Sequence, residues 1–159
     1  MIILGIDPGI ATTGYGVVKK TKNKLQCLDY GIIETDKKQK AAQRLSQLYN
    51  ALNKLLQKTK PDLMVVERLF FFKNLKTALP VSEARGVILL AASRKKIEIV
   101  QLTPLQVKVA ICCYGRADKK QVQKMVKKIL GLKKIPRPDD AADALALALC
   151  GFSETKTFL

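Results

Sequence analysis

Acidic residues stand at three points of the sequence where carboxylates could act together. Asp7 ends the first apolar stretch of the chain, and Glu67 ends a second one. Asp140 and Asp143 lie three residues apart near the C-terminus, in a segment with helical character, so they share one helix face. Active sites of α/β proteins gather where strands end. The four acids are therefore candidates for a single catalytic site.

The chemistry that these four acids suggest depends on a metal ion. Converging carboxylates cannot all stay ionised and unpaired, because like charges repel at short range. Magnesium resolves this conflict, since it is a hard cation that prefers carboxylate oxygens and water. Two such ions, about 4 Å apart, would clamp the attacking water and the leaving oxygen of a phosphoryl displacement. The sequence has no histidine, which excludes Ser-His-Asp hydrolases and His-ligated zinc enzymes.

Each acid also has an ordinary structural interpretation. Asp7 precedes Pro-Gly, which is favourable turn chemistry, and Glu67 could be a surface residue at a strand end. Acids such as Asp139 and Asp140 in a first helical turn cap the helix and complement its dipole. Asp143 lies deeper than a cap requires, however. The small alanines on either side of it would let the helix approach a sheet closely.

The pattern of apolar and polar residues predicts the elements that position these acids. Strands are expected at 1–7, 14–20, 25–34, 62–67 and 97–101, with the first three forming an antiparallel meander. Helices are expected at 40–58, at 76–93, after the Thr103-Pro104 cap, from Asp118 to Leu130, and at 139–150. This order fits an α/β, ribonuclease H-like fold in which a mixed five-stranded sheet is flanked by helices.

The expected helix at 76–93 contains an all-apolar stretch and a proline. Residues 86–92 are apolar on every side, which predicts burial on more than one face, either in the core or against another subunit. Pro80 falls where the first turns should be, and proline is tolerated at the start of a helix but not further in. This favours a helix that begins near residue 79.

The composition indicates a nucleic-acid partner. Lys and Arg total 29 against 13 acids, a formal net charge of +16. A surplus of this size suits a polyanion, because each cation set against a phosphate releases a counterion. The alternative is a basic protein without such a partner. The four cysteines include no CxxC pair, so they are expected to be reduced thiols.

The N-terminus has neither a basic leader nor a long apolar span, so a cytoplasmic protein with no membrane partner is expected. No linker or internal repeat divides the chain. A single domain over 1–159 is therefore expected, with a tail after about residue 151 that need not be ordered.

Five segments resemble one known family in both order and spacing. They are GIDPGIATTGYGVV at 5–18, VVERLFFFKNLKTALPVSEARGVILLAA at 65–92, LTPLQVK at 102–108, DKKQVQKMV at 118–126 and PDDAADALALAL at 138–149. The chain is thus similar to the RuvC family of Holliday-junction resolvases over nearly its whole length. The resemblance implies a ribonuclease H-like homodimer that nicks four-way junction DNA, leaves 5′-phosphates and works with the RuvA–RuvB branch-migration complex.

The resemblance also implies roles for particular residues. Asp7, Glu67, Asp140 and Asp143 match the family's metal-binding catalytic acids, which would hold two Mg²⁺ ions, with Mn²⁺ as a substitute. In some members a histidine replaces one acid of the last helix, whereas both positions are Asp here. Asp139 is an additional acid, interpreted as a neighbour of the site rather than a fifth catalyst.

Aromatic and basic residues near these motifs are candidates for DNA contact. The resemblance places base stacking on Phe70, although Phe70, Phe71 or Phe72 could instead pack in the core or at a dimer interface. Lys108, Lys119 and Lys120 lie in segments where the family has functional lysines. A lysine near the metals could stabilise developing negative charge. Lys76 and Arg85 are weaker candidates, and any single lysine could simply belong to a solvated face.

The sequence is compatible with three classes of function. The first is a junction-resolving nuclease, and the second is a junction-binding module that no longer cuts. The third is an ATP-binding domain of the actin or sugar-kinase type, which shares the Asp-x-Gly hairpin. That class needs a second, similar half, for which 159 residues leave no room.

Overall fold

The computed structural model describes residues 1–22, 24–68 and 75–154, and it describes the side chains of residues 1–22, 24–68 and 78–153. Five strands form one sheet in the order β3-β2-β1-β4-β5. They are β1 (Ile2–Asp7), β2 (Thr12–Lys20), β3 (Leu25–Glu34), β4 (Leu63–Glu67) and β5 (Glu98–Leu102). The first three strands are antiparallel, as predicted, and β1, β4 and β5 are parallel to one another.

Five helices alternate with the later strands or follow them. They are α1 (Ala41–Thr59), α2 (Leu75–Arg94), α3 (Pro104–Cys112), α4 (Lys119–Ile129) and α5 (Asp139–Glu154). Thr103 and Asp118 cap α3 and α4 by accepting hydrogen bonds from backbone N–H groups one turn on. Gly131 adopts a positive φ just after α4, a conformation that ends helices and that glycine tolerates. No helix in the part of the chain described here is long and apolar enough to cross a membrane.

The helices cover both faces of the sheet, and the strands alternate between two cores. Leu4 and Ile6 of β1 point into a core shared with α1 and α2. Ile3, on the opposite face, packs in the second core with α3, α4 and α5. This alternation follows from the two-residue period of a strand, and it explains why the buried strands are apolar on both faces.

The backbone of helix α5 lies directly against the backbones of β1 and β2, because the strand residues that face it are glycines. A β-carbon on Gly5 would overlap the carbonyl oxygen of Ala144 and lie 2.5 Å from the backbone nitrogen of Ala148. A β-carbon on Gly16 would lie 2.7 Å from the backbone nitrogen of Leu145. Contacts this short are sterically impossible, so only glycine permits the observed packing.

Helix α2 departs from two expectations. It begins at Leu75, so Pro80 lies inside the helix, and the predicted start near residue 79 is wrong. The proline removes one backbone hydrogen bond, but burial of Ala84, Ile88 and Ala91 against the core offsets that loss.

Burial of α2 on more than one face is also not found within the chain. Over residues 78–94, whose side chains the structure describes, one stripe of the helix is buried, while Leu79 is 74% and Leu90 is 54% exposed. Gly86 is exposed as well. Because residues 86–92 are apolar on every side, α2 has a second apolar face, and the described residues do not cover it. Of the two alternatives, burial in the core is wrong, and contact with another subunit stays a prediction.

We predict that Gly5→Ala destabilises the protein by about 1–3 kcal/mol, the usual cost of overpacking a core. The free energy of unfolding from urea denaturation measures this. Adding Ala144→Gly should not restore stability, because the overlapping atom belongs to the backbone of α5. A Gly5→Ala protein as stable as the wild type would show that α5 does not need this close contact.

Candidate active site

The ends of the two central parallel strands carry the first two acids. Asp7 is the last residue of β1, and Glu67 is the last residue of β4. The register pairs Ile6 with Val66, so the two acids leave the sheet side by side at its carboxyl edge. The predicted convergence of these residues is therefore confirmed by the topology of the sheet.

Helix α5 brings the other two acids to the same edge. Its first turn lies against Gly14 of β2, where a β-carbon would overlap the carbonyl oxygen of Asp140. Carboxylate oxygens of Asp7, Asp140 and Asp143 all lie within 4.8 Å of one another. Glu67 is not part of that set of three, but its carboxyl group is hydrogen-bonded to Asp7.

Burial and mutual repulsion both act on these carboxyl groups. Burial raises the pKa of Asp7 well above its ordinary value, and the charges of Glu67, Asp143 and Asp140 raise it further. Burial also raises the pKa of Glu67, although its hydrogen bond with Asp7 acts in the opposite direction. The pKa of Asp143 is raised by burial against the opposing effect of Lys119. The cluster thus disfavours full ionisation.

Lys119 is the cation that the structure places at this cluster. Its Nζ lies 2.8 Å from Oδ2 of Asp143 and 3.6 Å from Oδ2 of Asp139. Burial opposes its charge, but the hydrogen bond to Asp143 and the nearby acids raise the pKa of Lys119. Because α4 begins at Lys119, the Asp118 cap that starts this helix also fixes where the lysine stands.

Asp139 differs from the three clustered acids. The Gln123 amide, Lys119 and Arg137 lower its pKa, so it is a stably ionised carboxylate. Arg137 and Lys119 both form ion pairs with it. These contacts agree with its interpretation as a neighbour of the site.

A cavity of about 210 Å³ opens beside the acids between α3, α4 and α5. Glu67, Asp143, Lys108 and Lys119 supply its polar groups. Its remaining walls are apolar and come from Pro104, Val107, Val122, Ala146 and Leu147. Lys108 and Lys119 thus border the acid cluster, while Lys120 is an exposed residue next in sequence to Lys119.

The other predicted DNA contacts are less defined. The Arg85 guanidinium donates a hydrogen bond to the side chain of Gln101 on β5. The backbone of Lys76 lies in the first turn of α2, but its side chain is outside the described part of the chain. Phe70, with the neighbouring Phe71 and Phe72, also lies outside the described residues. Their roles stay predictions.

Sequence reasoning missed the strand glycines that set this geometry. Gly5, Gly14 and Gly16 all face α5, and the last two are two residues apart on β2, so they share a face. That spacing was visible in the sequence GIDPGIATTGYG. Its meaning depended on knowing that the acid-bearing helix lies across these strands.

The donor set fits a divalent metal ion. Three carboxylates within 4.8 Å of one another, with a fourth hydrogen-bonded to the first, offer the hard oxygen ligands that magnesium and manganese take. A carboxylate cluster at the carboxyl edge of a mixed, ribonuclease H-like sheet defines a class of nuclease. The resemblance of the sequence to the RuvC family falls within that class.

Comparison with known proteins identifies the family. Residues 3–151 match the family described as Crossover junction endodeoxyribonuclease RuvC. A protein of that name from Ruminiclostridium cellulolyticum is 57% identical over 150 residues, covering 94% of this chain and 90% of the relative. The Thermus thermophilus RuvC structure has a TM-score of 0.90 and 35% identity, covering 99% of this chain and 97% of that one.

A second solved structure shows a relative with nucleic acid bound. T. thermophilus RuvC in complex with Holliday junction substrate has a TM-score of 0.89 and 33% identity, covering 99% of this chain and 96% of that one. This chain belongs to the RuvC family of crossover junction endodeoxyribonucleases. The predicted ribonuclease H-like fold and nuclease class are thereby confirmed.

We predict that Asp7→Asn raises the unfolding temperature of the metal-free protein at neutral pH. A carboxyl group with a raised pKa in the folded state contributes stability below the ordinary pKa of aspartate. That contribution is lost as the pH rises through the raised pKa. The uncharged amide avoids this loss, so the variant should gain stability over the wild type as the pH rises toward neutrality.

Thermal unfolding in a chelating buffer, followed from acidic to neutral pH, measures the effect. Asp139→Asn is the matched control, because the pKa of Asp139 is lowered and its loss should leave the unfolding temperature equal or lower. An Asp7→Asn protein less stable than wild type at neutral pH would contradict the repulsion described here.

Proposed function

We propose that this chain resolves four-way DNA junctions by paired symmetric nicks, with metal ions held by Asp7, Glu67, Asp140 and Asp143. The observation that carries the proposal is the meeting of three carboxylates within 4.8 Å at the end of the central strands. The hydrogen bond that protonated Asp7 donates to Glu67 adds the fourth acid. The junction-bound relative from T. thermophilus supports the choice of substrate.

The bound ions would be two Mg²⁺, with Mn²⁺ able to replace them, because the ligands are carboxylates alone. Metal ions in such a site supply an activated water and stabilise the negative charge of the phosphoryl transition state. In the cleavage the water oxygen would bond to phosphorus and give up a proton, while the bond from phosphorus to the 3′ oxygen breaks and that oxygen takes up a proton. The products are a 5′-phosphate and a 3′-hydroxyl that ligase can rejoin.

The side chains of this chain have separate tasks in that reaction. Burial and the charges of three neighbouring acids raise the pKa of Asp7 well above its ordinary value, so its charge would depend on a bound cation. Lys119 holds Asp143 by an ion pair of 2.8 Å and can turn toward the phosphate when the acids are neutralised by metal. Lys108, which also lines the cavity, would bind a neighbouring phosphate.

The remaining proposed DNA contacts are Lys120, Lys76, Arg85 and Phe70. The lysines and the arginine would bind phosphates and provide affinity, while Phe70 would stack on an unpaired base near the cut. Selectivity for a junction over linear duplex would come from the shape of the branched DNA rather than from base sequence.

A homodimer would match the symmetry of the substrate. Two active sites related by a two-fold axis would place one nick in each of two opposed strands. The exposed apolar face of α2, with Leu79, Gly86 and Leu90, supports this proposal because a large uncovered apolar face usually marks an interface. We further propose a single domain over 1–159, a cytoplasmic location and the RuvA–RuvB complex as partner.

The acid cluster disfavours the two alternative functions. A module that only binds junctions would not need several carboxylates that repel one another in a half-buried site. An ATP-binding domain of the actin type would use its first hairpin for phosphates. The match of residues 3–151 to the RuvC family favours the nuclease instead.

We predict that a synthetic four-way junction is nicked in two opposed strands in the presence of Mg²⁺, while linear duplex is not. Asp7→Asn and Asp140→Asn should each slow cleavage by at least about a hundredfold, since even residues that support metal ligands contribute up to about that much. Junction binding should persist in both variants. Quantitative gel analysis of 5′-labelled strands gives the rates and the positions of both nicks.

Asp139→Asn is the control, because it removes an adjacent acid that is paired with Arg137 and Lys119. It should cut within about threefold of the wild-type rate, as expected for loss of surface ion pairs. A loss as large as that of Asp140→Asn would place Asp139 among the metal ligands. Full activity in Asp7→Asn would contradict the proposed site.

A further inference from the structure

The loop that follows Asp7 is held by residues outside the acid cluster. Residues 8–11 connect β1 to β2, and three consecutive carbonyl groups of this connection accept hydrogen bonds. The Gly9 carbonyl accepts from the hydroxyl of Thr13, and the Ile10 carbonyl accepts from the hydroxyl of Thr35. The Ala11 carbonyl accepts from the backbone N–H of Thr35 at 3.2 Å.

Thr35 is therefore the main anchor of this loop. It follows directly after β3 and is only 6% exposed. Its hydroxyl oxygen also accepts a hydrogen bond of 3.0 Å from Nε of Arg44, in the first turn of α1. Arginine can only donate, so the single hydroxyl proton of Thr35 is left to donate to Ile10. The Thr35 hydroxyl thus accepts from Arg44 and donates to Ile10, which links the start of α1 to the loop.

Arg44 occupies an unfavourable place for a cation. It is the fourth residue of α1, where the positive end of the helix dipole disfavours positive charge. Its Nη2 atom is buried and has no hydrogen-bond partner among the residues that the structure describes. A buried donor without a partner costs stability. Residues that violate local structural preferences at a cost in stability are often found at functional sites.

We propose that Arg44 and Thr35 are positioning residues that hold the loop at residues 8–11, and through it the Asp7 carboxylate, in place before metal binds. The relay runs from Arg44 Nε to the Thr35 hydroxyl and on to the Ile10 carbonyl, three residues after Asp7. A fixed loop lowers the cost of bringing four repelling carboxylates to a cation, because Asp7 does not have to be ordered at that moment. This inference rests on the proposed function.

Two variants break the relay at different points. Thr35→Val removes the hydroxyl at nearly constant shape, and Arg44→Met removes the donor while keeping the length of the side chain. Each should weaken Mn²⁺ binding, measured by electron paramagnetic resonance, by about 10- to 100-fold. Junction cleavage at limiting Mg²⁺ should fall in the same range. Junction affinity without metal should be unchanged.

The relay also predicts a change that needs no metal. Hydrogen exchange of the amides at residues 9–12 in the metal-free protein should become faster in both variants. Thr35→Ser keeps the hydroxyl and should restore Mn²⁺ affinity. Arg44→Met should unfold at the wild-type temperature or higher, since it removes a buried donor that lacks a partner.

Thr59→Val is the matched control. The Thr59 hydroxyl also donates to a backbone carbonyl, that of Leu55 at 2.7 Å, but at the far end of α1. Equal losses of Mn²⁺ affinity in Thr59→Val and Thr35→Val would overturn the proposal. So would wild-type Mn²⁺ affinity in Arg44→Met together with a clear fall in its unfolding temperature, because Arg44 would then be structural only.

The proposed function and the relay can fail separately. A wild-type protein that binds Mn²⁺ but does not cut junctions would contradict the proposed function, while the metal affinities and exchange rates would still test the relay. Unchanged exchange at residues 9–12 in both variants, with normal junction cleavage by the wild type, would overturn the relay alone.

Discussion

Repulsion among buried carboxylates is the interaction that organises this molecule. Burial and the neighbouring charges of Glu67, Asp143 and Asp140 together raise the pKa of Asp7. A fold selected only for stability would not gather acids in this way, because each ionised group adds to the penalty of the others. Divalent cations turn the same arrangement into a favourable one, since they replace repulsion among acids by attraction to a shared charge. These properties of the cluster support the proposed metal site.

The rest of the fold holds these mutually repelling carboxylates close together. Parallel pairing of β1 and β4 sets Asp7 beside Glu67, and glycines on β1 and β2 allow α5 to lie against the strand backbones. Rigid elements are better supports for such a site than loops, because small displacements of ligands cost much of their function. The loop that follows Asp7, at residues 8–11, is tied to the start of α1 through Thr35.

Most of the fold and the four acids could be predicted from the sequence. Alternating and continuous apolar runs define the ten elements, and caps such as Thr103 and Asp118 mark where helices begin. The pattern of apolar residues places the start of α2 within one residue, whereas the later start inferred from Pro80 is wrong, because burial of the later turns outweighs the local cost of the proline. The hydrogen bond from Arg44 to Thr35 could not be predicted from the sequence, since it depends on how α1 lies relative to the end of β3.

The location of bound metal tests the central claim most directly. Crystals of the wild-type protein soaked in Mn²⁺ should show anomalous diffraction peaks, with two ions about 4 Å apart if both sites fill. We predict that Asp7, Glu67, Asp140 and Asp143 supply the protein ligands. Absence of any peak in this cluster, at an Mn²⁺ concentration that supports junction cleavage in solution, would contradict it.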